Sequence, residues 1–111
     1  EPAILDAAIA KIPDDFRERY TVVKSAPFYL EILHPGASKG VALSQLASHL
    51  QMTADEVMAI GDNENDLTMI DYAGIGVAME NAIPEVKKAA DVTTASNDED
   101  GVALVVEKYV L

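Results

Sequence analysis

The sequence contains no cysteine and no tryptophan, and its only aromatic residues are four tyrosines and two phenylalanines. Without cysteine, a disulfide framework and thiolate metal ligands are excluded, which fits a reducing compartment, so we expect a cytoplasmic location. Basic residues are also scarce: eight Lys and Arg stand against 19 Asp and Glu, a formal charge of −11. This balance argues against sequence-independent binding of nucleic acid. No apolar run is long enough for a membrane span, and "EPAILDAAIAKIPDD" lacks the basic region of a signal peptide, so we expect no membrane partner.

Residues 1–33 have their own pattern. Apolar residues at helical spacing after an N-terminal proline predict a helix over 2–12, which Pro13 ends. The segments 20–26 and 28–34 are rich in β-branched and aromatic residues and predict two strands, with Pro27 at an edge or a bend between them. The sequence "HPGASKG" (34–40) then forms the clearest break in the chain.

Residues 34–111 alternate between helices and short apolar strands. Helices are predicted over 41–51, 64–74, 82–90 and 99–110, and strands over 56–61, 75–79 and 91–94. We expect Gly74 to end the second of these helices at the position after its last residue. Strands that are apolar throughout and alternate with helices indicate an α/β fold with a parallel sheet covered on both sides. The chain is therefore predicted to divide into residues 1–33 and residues 34–111.

The stretch "GDNEND" (61–66) is the most informative part of the chain. Asp62 follows a strand directly and so lies at the carboxyl end of the sheet, where α/β proteins bind ligands. Asp62 and Asp66 offer the hard oxygen ligands that Mg²⁺ prefers, and Asn65 with the next helix's free N–H groups could hold an anion. Ordinary helix capping is the alternative, but five polar groups in a row exceed what a cap needs. A calcium-binding EF-hand is excluded, because Leu67 and Ala73 stand where Gly and Glu are required.

The segment "GDNENDLTMIDYAGIGVAMENA" resembles the GDxxND motif of the haloacid dehalogenase superfamily. With its "GVAM.NA" strand it is similar, more narrowly, to the Cof-type sugar phosphatases. Lys39, in "SKG", stands 23 residues before Asp62, as the conserved lysine of that superfamily does. The resemblance covers nearly the whole chain. It implies a partial Rossmann-like core over residues 34–111, preceded by a remnant of an α+β cap domain over residues 1–33.

This resemblance implies a Mg²⁺-dependent phosphatase that hydrolyses monoesters of small phosphorylated metabolites through an aspartyl-phosphate. Asp62 would be a Mg²⁺ ligand. Lys39 would neutralise charge on the nucleophile and on the transferring phosphoryl group. Asn65 would contact the substrate phosphate, and Asp66 would orient Lys39 or the metal's waters. The alternative for Lys39 is a solvated lysine at a helix start, where its charge is unfavourable.

The expected nucleophile motif is missing. Such enzymes carry DxD(G) after a buried strand near the N-terminus, whereas the one DxD match here, "DEDGV" (98–102), opens the last predicted helix. There Asn97 or Asp98 is expected to act as a helix cap. We therefore expect the chain to be the C-terminal part of such a phosphatase, inactive alone. The alternative is a non-catalytic metal- or partner-binding domain, or a truncated gene product. Because the strand at 57–60 would then have an unpaired edge, we also expect the chain to dimerise or aggregate.

Overall fold

The computed structural model describes residues 1–111. It contains six α-helices and five β-strands, together with three single 3₁₀ turns at Ala54–Glu56, Glu64–Asp66 and Asn97–Glu99. In chain order the elements are α1 (Pro2–Ile9), α2 (Asp14–Arg19), β1 (Thr21–Ala26), β2 (Tyr29–Leu33), α3 (Lys39–His49), β3 (Met58–Gly61), α4 (Leu67–Tyr72), β4 (Ile75–Ala78), α5 (Pro84–Ala89), β5 (Val92–Thr93) and α6 (Gly101–Tyr109). No helix is both long enough and apolar enough to cross a membrane.

The strands form two separate sheets. Strands β1 and β2 are an antiparallel hairpin, and β3, β4 and β5 form a parallel sheet in that order. Met58 of β3 is paired with Ile75 of β4, and Val77 of β4 with Val92 of β5. The predicted α/β fold with parallel strands and flanking helices is confirmed. The division into residues 1–33 and 34–111 stays a prediction.

The core lies where α4 and α5 pack on β4. Its buried residues are Ile70, Ala78, Met79, Ala82 and Val86. Val86 is fully buried, as is Val77 of the central strand. Burying a valine side chain stabilises a fold by about 1.5–3 kcal/mol, so these contacts hold the parallel sheet and its carboxyl-end loops in place.

The segment 14–19 forms a helix that the sequence interpretation missed. Helix α2 carries Asp14 and Asp15 in its first turn and Arg17 and Arg19 in its last turn. Both charge pairs complement the helix dipole, which is a signal readable in the sequence. The helix was missed because Phe16 is its single large apolar side chain, so the stretch has no apolar periodicity.

Gly74 stands directly after Ala73, the C-cap of α4, as the sequence predicts, but it lacks the left-handed conformation that is usual for glycine at that position. No glycine in the chain has a positive φ, and α4 ends at Ala73, which is extended. Gly74 instead meets the turn before β3: its N–H donates to Ala54 O at 2.8 Å. A Cβ at Gly74 would lie 2.6 Å from Asp55 Cα, so close backbone approach explains this glycine.

Helix α3 leaves much of its apolar face uncovered. Ala47 is buried, but Leu46 is 54% exposed and Leu50 is 57% exposed. Strand β3, which lies beside α4, is hydrogen-bonded to β4 on one side only, since it is at the end of the sheet order. The chain therefore has an apolar helix face and an open strand edge.

Candidate functional site

The loop 62–66 begins directly after β3, at the carboxyl end of the parallel sheet. Two residues of this loop cap the 3₁₀ turn Glu64–Asp66. Asn63 is its N-cap, and the side chain of Asp66 completes a capping box with Asn63. Asp66 Oδ2 accepts hydrogen bonds from the N–H groups of Asp62 at 3.0 Å and Asn63 at 3.2 Å. The side chain of Asp62 takes no part in the cap and is exposed. Capping therefore explains Asn63 and Asp66, but it does not explain Asp62.

Lys39 and Asp66 form an ion pair at this edge. Lys39 Nζ lies 2.5 Å from Asp66 Oδ1, and their side chains are 50% and 6% exposed. Burial by itself raises the pKa of the Asp66 carboxyl, but the hydrogen bonds from Lys39, Asp62 and Asn63 outweigh it and hold the pKa below its usual 3.8. Asp66 is therefore a carboxylate at neutral pH, and it holds the ammonium group of Lys39 at the site.

Close packing of α3 on α4 brings Lys39 to Asp66. Ser38 caps α3, because its Oγ accepts from Val41 N at 3.1 Å. Gly40 N–H donates to Thr68 Oγ1 at 3.0 Å. A Cβ on Gly40 would lie 2.3 Å from the Thr68 carbonyl oxygen, so no larger residue fits in this arrangement. The first turn of α3, with Lys39, is therefore pressed against the start of α4.

Gly61 has a similar role beneath Asp66. Gly61 does not have a positive φ, so a left-handed backbone conformation does not account for it. A Cβ on Gly61 would lie 2.4 Å from Asp66 Cβ. The absence of a side chain at the end of β3 therefore makes room for the buried carboxylate.

One asparagine that the sequence interpretation did not assign, Asn81, extends the site. Asn81 Nδ2 donates to Asp62 Oδ2 at 3.3 Å. Asn81 Oδ1 in turn accepts from the backbone N–H of Asn97 at 3.0 Å. Asn81 thus orients the exposed carboxylate of Asp62 and ties the loop after β4 to the loop after β5. In the sequence, the signal that could have identified Asn81 is its position shortly after a predicted strand, at the edge of the sheet where ligands bind.

The donor set fits part of a Mg²⁺ site. Asp62 offers a solvent-facing carboxylate, the ligand type that Mg²⁺ prefers. Both oxygens of Asp66 already accept hydrogen bonds, so Asp66 is better suited to holding Lys39. No group of three or more His, Cys, Asp or Glu residues in this chain could hold a metal ion. Asp62 therefore fits as one ligand of a site whose remaining ligands are not side chains of these residues.

Lys39 and Asn65 line a common cleft of about 540 Å³ between α3 and the β1–β2 hairpin. Asp62 is not among the residues that line it. The loop 62–66 holds the hairpin directly: Glu64 Oε2 accepts from Lys24 N, and Asn63 Nδ2 donates to Ser25 O, both at 3.2 Å. The cleft can therefore take a molecule whose one end meets Lys39 and Asn65.

The sequence "DEDGV" lies on an exposed turn. Strand β5 ends at Thr93, and Asp98 and Asp100 are both exposed. The predicted cap is wrong in detail, because neither Asn97 nor Asp98 caps α6. The N-cap is Asp100, in the left-handed conformation with φ 56°. No buried strand leads directly into these carboxylates, so they have no rigid support of the kind a nucleophile needs.

Residues 1–106 match the family of haloacid dehalogenase-like hydrolases. The chain is 58% identical over all its 111 residues to Putative phosphatase YxeH of Bacillus subtilis, of which it covers 41%. It is 42% identical over 86 residues to the 5-amino-6-(5-phospho-D-ribitylamino)uracil phosphatase YitU of Bacillus subtilis, with 77% of this chain and 32% of YitU covered. The chain thus spans about two fifths or less of the length of these curated relatives.

Solved structures give the same relationship. A haloacid dehalogenase-like hydrolase from B. subtilis matches 98% of this chain with a TM-score of 0.85 and 40% identity, over 37% of its own length. The subclass IIB sugar phosphatase BT4131 matches 83% of this chain with a TM-score of 0.78 and 32% identity, over 35% of its length. The fold described above is therefore shared with these hydrolases.

Proposed function

Because this chain belongs to the haloacid dehalogenase-like hydrolase family, we propose that it is part of a Mg²⁺-dependent phosphatase. The substrates would be phosphate monoesters of small metabolites, sugar phosphates in particular. The observation that carries this proposal is the ion pair of Lys39 with the buried Asp66, next to the exposed Asp62 at the carboxyl end of β3. That arrangement places one fixed cation and one available carboxylate at the edge of the sheet where ligands bind.

Lys39 would stabilise the transferring phosphoryl group. Its side chain is half exposed, so the ammonium can meet a substrate oxygen while Asp66 accepts one of its hydrogen bonds. A fixed positive charge stabilises the transition state, where negative charge develops, more than it stabilises the ground state. Asp66 would act through Lys39, by fixing the position of its ammonium group.

Asp62 would hold the metal and Asn65 the substrate phosphate. Mg²⁺ bound at Asp62 would neutralise charge on the phosphoryl oxygens. Asn81 would keep the Asp62 carboxylate turned toward that position through its hydrogen bond. Asn65 lines the same cleft as Lys39, so its side-chain amide can donate a hydrogen bond to a phosphate oxygen bound there.

The aspartate that forms the aspartyl-phosphate would lie outside residues 1–111. The single DxD match, at 98–100, occupies an exposed turn rather than the end of a buried strand. We therefore expect the 111-residue chain by itself to bind Mg²⁺ weakly and to be inactive. That same observation favours the second candidate for the isolated chain, a non-catalytic metal- or partner-binding domain. We further propose a cytoplasmic enzyme without nucleic-acid or membrane partners. The lack of cysteine supports the location, and the negative charge argues against binding of nucleic acid.

Hydrolysis of p-nitrophenyl phosphate by the complete gene product that carries these residues tests the proposal. Activity should require Mg²⁺, and Lys39→Ala should lower kcat by about 10²–10³, the usual loss for one such electrostatic contact. Lys87→Ala is the matched control, because Lys87 is exposed on α5 and lines none of the described clefts. Mg²⁺-independent hydrolysis, or a normal kcat in Lys39→Ala, would contradict the proposal.

A further inference from the structure

The β1–β2 hairpin presents two chemically different faces. In its register, Thr21 is opposite Leu33 and Val23 is opposite Glu31, so these four side chains share one face. All four line the cleft that also contains Lys39 and Asn65. The other face, with Val22, Lys24 and Leu30, points toward α1.

Because side chains alternate between the two faces, the basic side chain of the hairpin lies outside the cleft. Lys24 is the one basic residue of the two strands, and it lies on the face toward α1, where its Nζ is 2.5 Å from Asp6 Oδ1. The charged residues that line the cleft are Lys39, Glu31 and Glu64. Since Lys39 is already paired with Asp66, the part of the cleft beyond the ammonium is negative.

The two glutamates differ in how they are held. Glu64 accepts a hydrogen bond from Lys24 N, so it supports the hairpin. The carboxylate of Glu31 accepts no hydrogen bond within the chain and is exposed on its strand, so it is available to a bound molecule. Gln45 of α3, which lines the same cleft, adds an amide that can donate or accept a hydrogen bond.

We propose that Glu31 is a specificity-determining residue that selects monoesters with a neutral, hydroxyl-rich leaving group and rejects those carrying a second anion. This inference rests on the proposed phosphatase function. A hydroxyl group can donate a hydrogen bond to the Glu31 carboxylate. A second carboxylate or phosphate would meet Glu31 and Glu64 without a free cation to pair with. Such a repulsive contact discriminates between substrates as effectively as an attractive one.

Two substrates of equal chain length isolate this effect. Sorbitol 6-phosphate ends in a hydroxymethyl group, whereas 6-phosphogluconate ends in a carboxylate. The complete gene product should show kcat/KM about tenfold or more in favour of sorbitol 6-phosphate, as expected for like charges in a partly shielded cleft. Glu31→Gln keeps the side-chain shape and should lower this ratio about three- to tenfold, by raising kcat/KM for 6-phosphogluconate. Glu31→Lys should reverse the preference.

Glu107→Gln is the matched control, because it makes the same change in net charge at an exposed site on α6. It should leave the ratio unchanged. Higher salt should reduce the ratio in the unsubstituted protein and have little effect on it in Glu31→Gln, because ions screen the repulsion. Hydrolysis of both substrates with a ratio near one, or with a ratio that neither Glu31 variant changes, would overturn this inference and leave the phosphatase proposal standing. Failure to hydrolyse either substrate while p-nitrophenyl phosphate is hydrolysed would also overturn this inference, because the selected kind of monoester would not be accepted. Failure to hydrolyse all three would overturn the proposed function, and the inference with it.

Discussion

Asp66 joins the structural and the chemical parts of the site. One of its oxygens accepts two backbone N–H groups of the loop, and the other meets the ammonium of Lys39. A carboxylate this deeply buried is stable only because all these donors face it. The same side chain therefore shapes the loop that carries Asp62 and places the cation of the site.

The lowered pKa of Asp66 predicts how stability depends on pH. A carboxyl whose pKa is lower in the folded state than in the unfolded state stabilises the fold above its unfolded value, 3.8. This contribution is lost as the pH falls through the lower folded value. Asp66→Asn should therefore reduce the free energy of unfolding at pH 7 by about 1–2 kcal/mol, because the charge-assisted hydrogen bonds of the carboxylate are lost. The loss is moderate because the partner, Lys39, is half exposed and its charge is screened by solvent. The loss should shrink as the pH falls from 3.8 through the lower folded pKa.

Urea unfolding of the protein across this pH range measures the effect. Asp71→Asn is the matched control, because Asp71 is exposed on the next helix and should change stability little at any pH. If Asp66→Asn were equally destabilising at all pH values, the shape of the Asp66 side chain, and not its charge, would account for its contribution to stability.

At the scale of elements, the contact between α3 and α4 decides where Lys39 lies. The contact needs a residue without a side chain at Gly40, although alanine is the better helix former by about 1 kcal/mol. The sequence interpretation found the helix and the lysine but did not foresee this requirement. It concerns Thr68, which is 28 residues further along the chain.

Gly40→Ala should therefore destabilise the protein and lower kcat. The added Cβ would lie 2.3 Å from a backbone carbonyl that cannot turn aside, so α3 must move and carry Lys39 away from Asp66. Overpacking of this kind costs about 1–3 kcal/mol, which outweighs the gain in helix propensity. Thermal unfolding and phosphatase kinetics on the complete gene product measure both effects.

Gly36→Ala is the control for that substitution. A Cβ on Gly36 would meet its nearest neighbour, an imidazole atom of His34, at an ordinary 3.5 Å. It should therefore be close to neutral in thermal unfolding. Equal behaviour of the two alanine variants would show that the α3–α4 contact is less tightly packed than the structure indicates.

At the scale of the whole molecule, the main feature is apolar surface that no other part of the chain covers. Leu46 of α3 and Leu50, the C-cap of that helix, are more than half exposed, and β3 has one open edge. An exposed strand edge favours association because a second chain can pair with its free N–H and C=O groups. An exposed apolar face favours it because association buries that face away from water. The charge of −11 opposes association only in part, since salt screens it.

The 111-residue chain should accordingly form dimers or larger aggregates. Strand-edge pairing through β3, or exchange of residues 1–33 through the segment 34–40, would bury this surface. Light scattering over a range of protein concentrations measures the outcome. Replacing Leu46 and Leu50 together by lysine should weaken association, whereas a monodisperse, cooperatively melting monomer of the unsubstituted chain would contradict the prediction.

The sequence by itself determined the α/β fold, and it indicated most of the residues that the structure brings together at the candidate site. Helix and strand periods are local, and so is the crowding of Asp62, Asn65 and Asp66 after a strand, so both could be read along the chain. The resemblance to a known family added Lys39 and the phosphatase chemistry. Element ends were less predictable, as the start of α6 shows, because they depend on caps and close contacts.

Only the tertiary structure decided how that site is supported. Asn81 meets Asp62 from 19 residues away, and Gly40 meets Thr68 from 28 residues away. The direction of Glu31 toward the cleft and of Lys24 away from it depends on the hairpin register and on what packs against each face. A contact between distant segments has no local pattern, because it exists only after the chain has folded and brought them together.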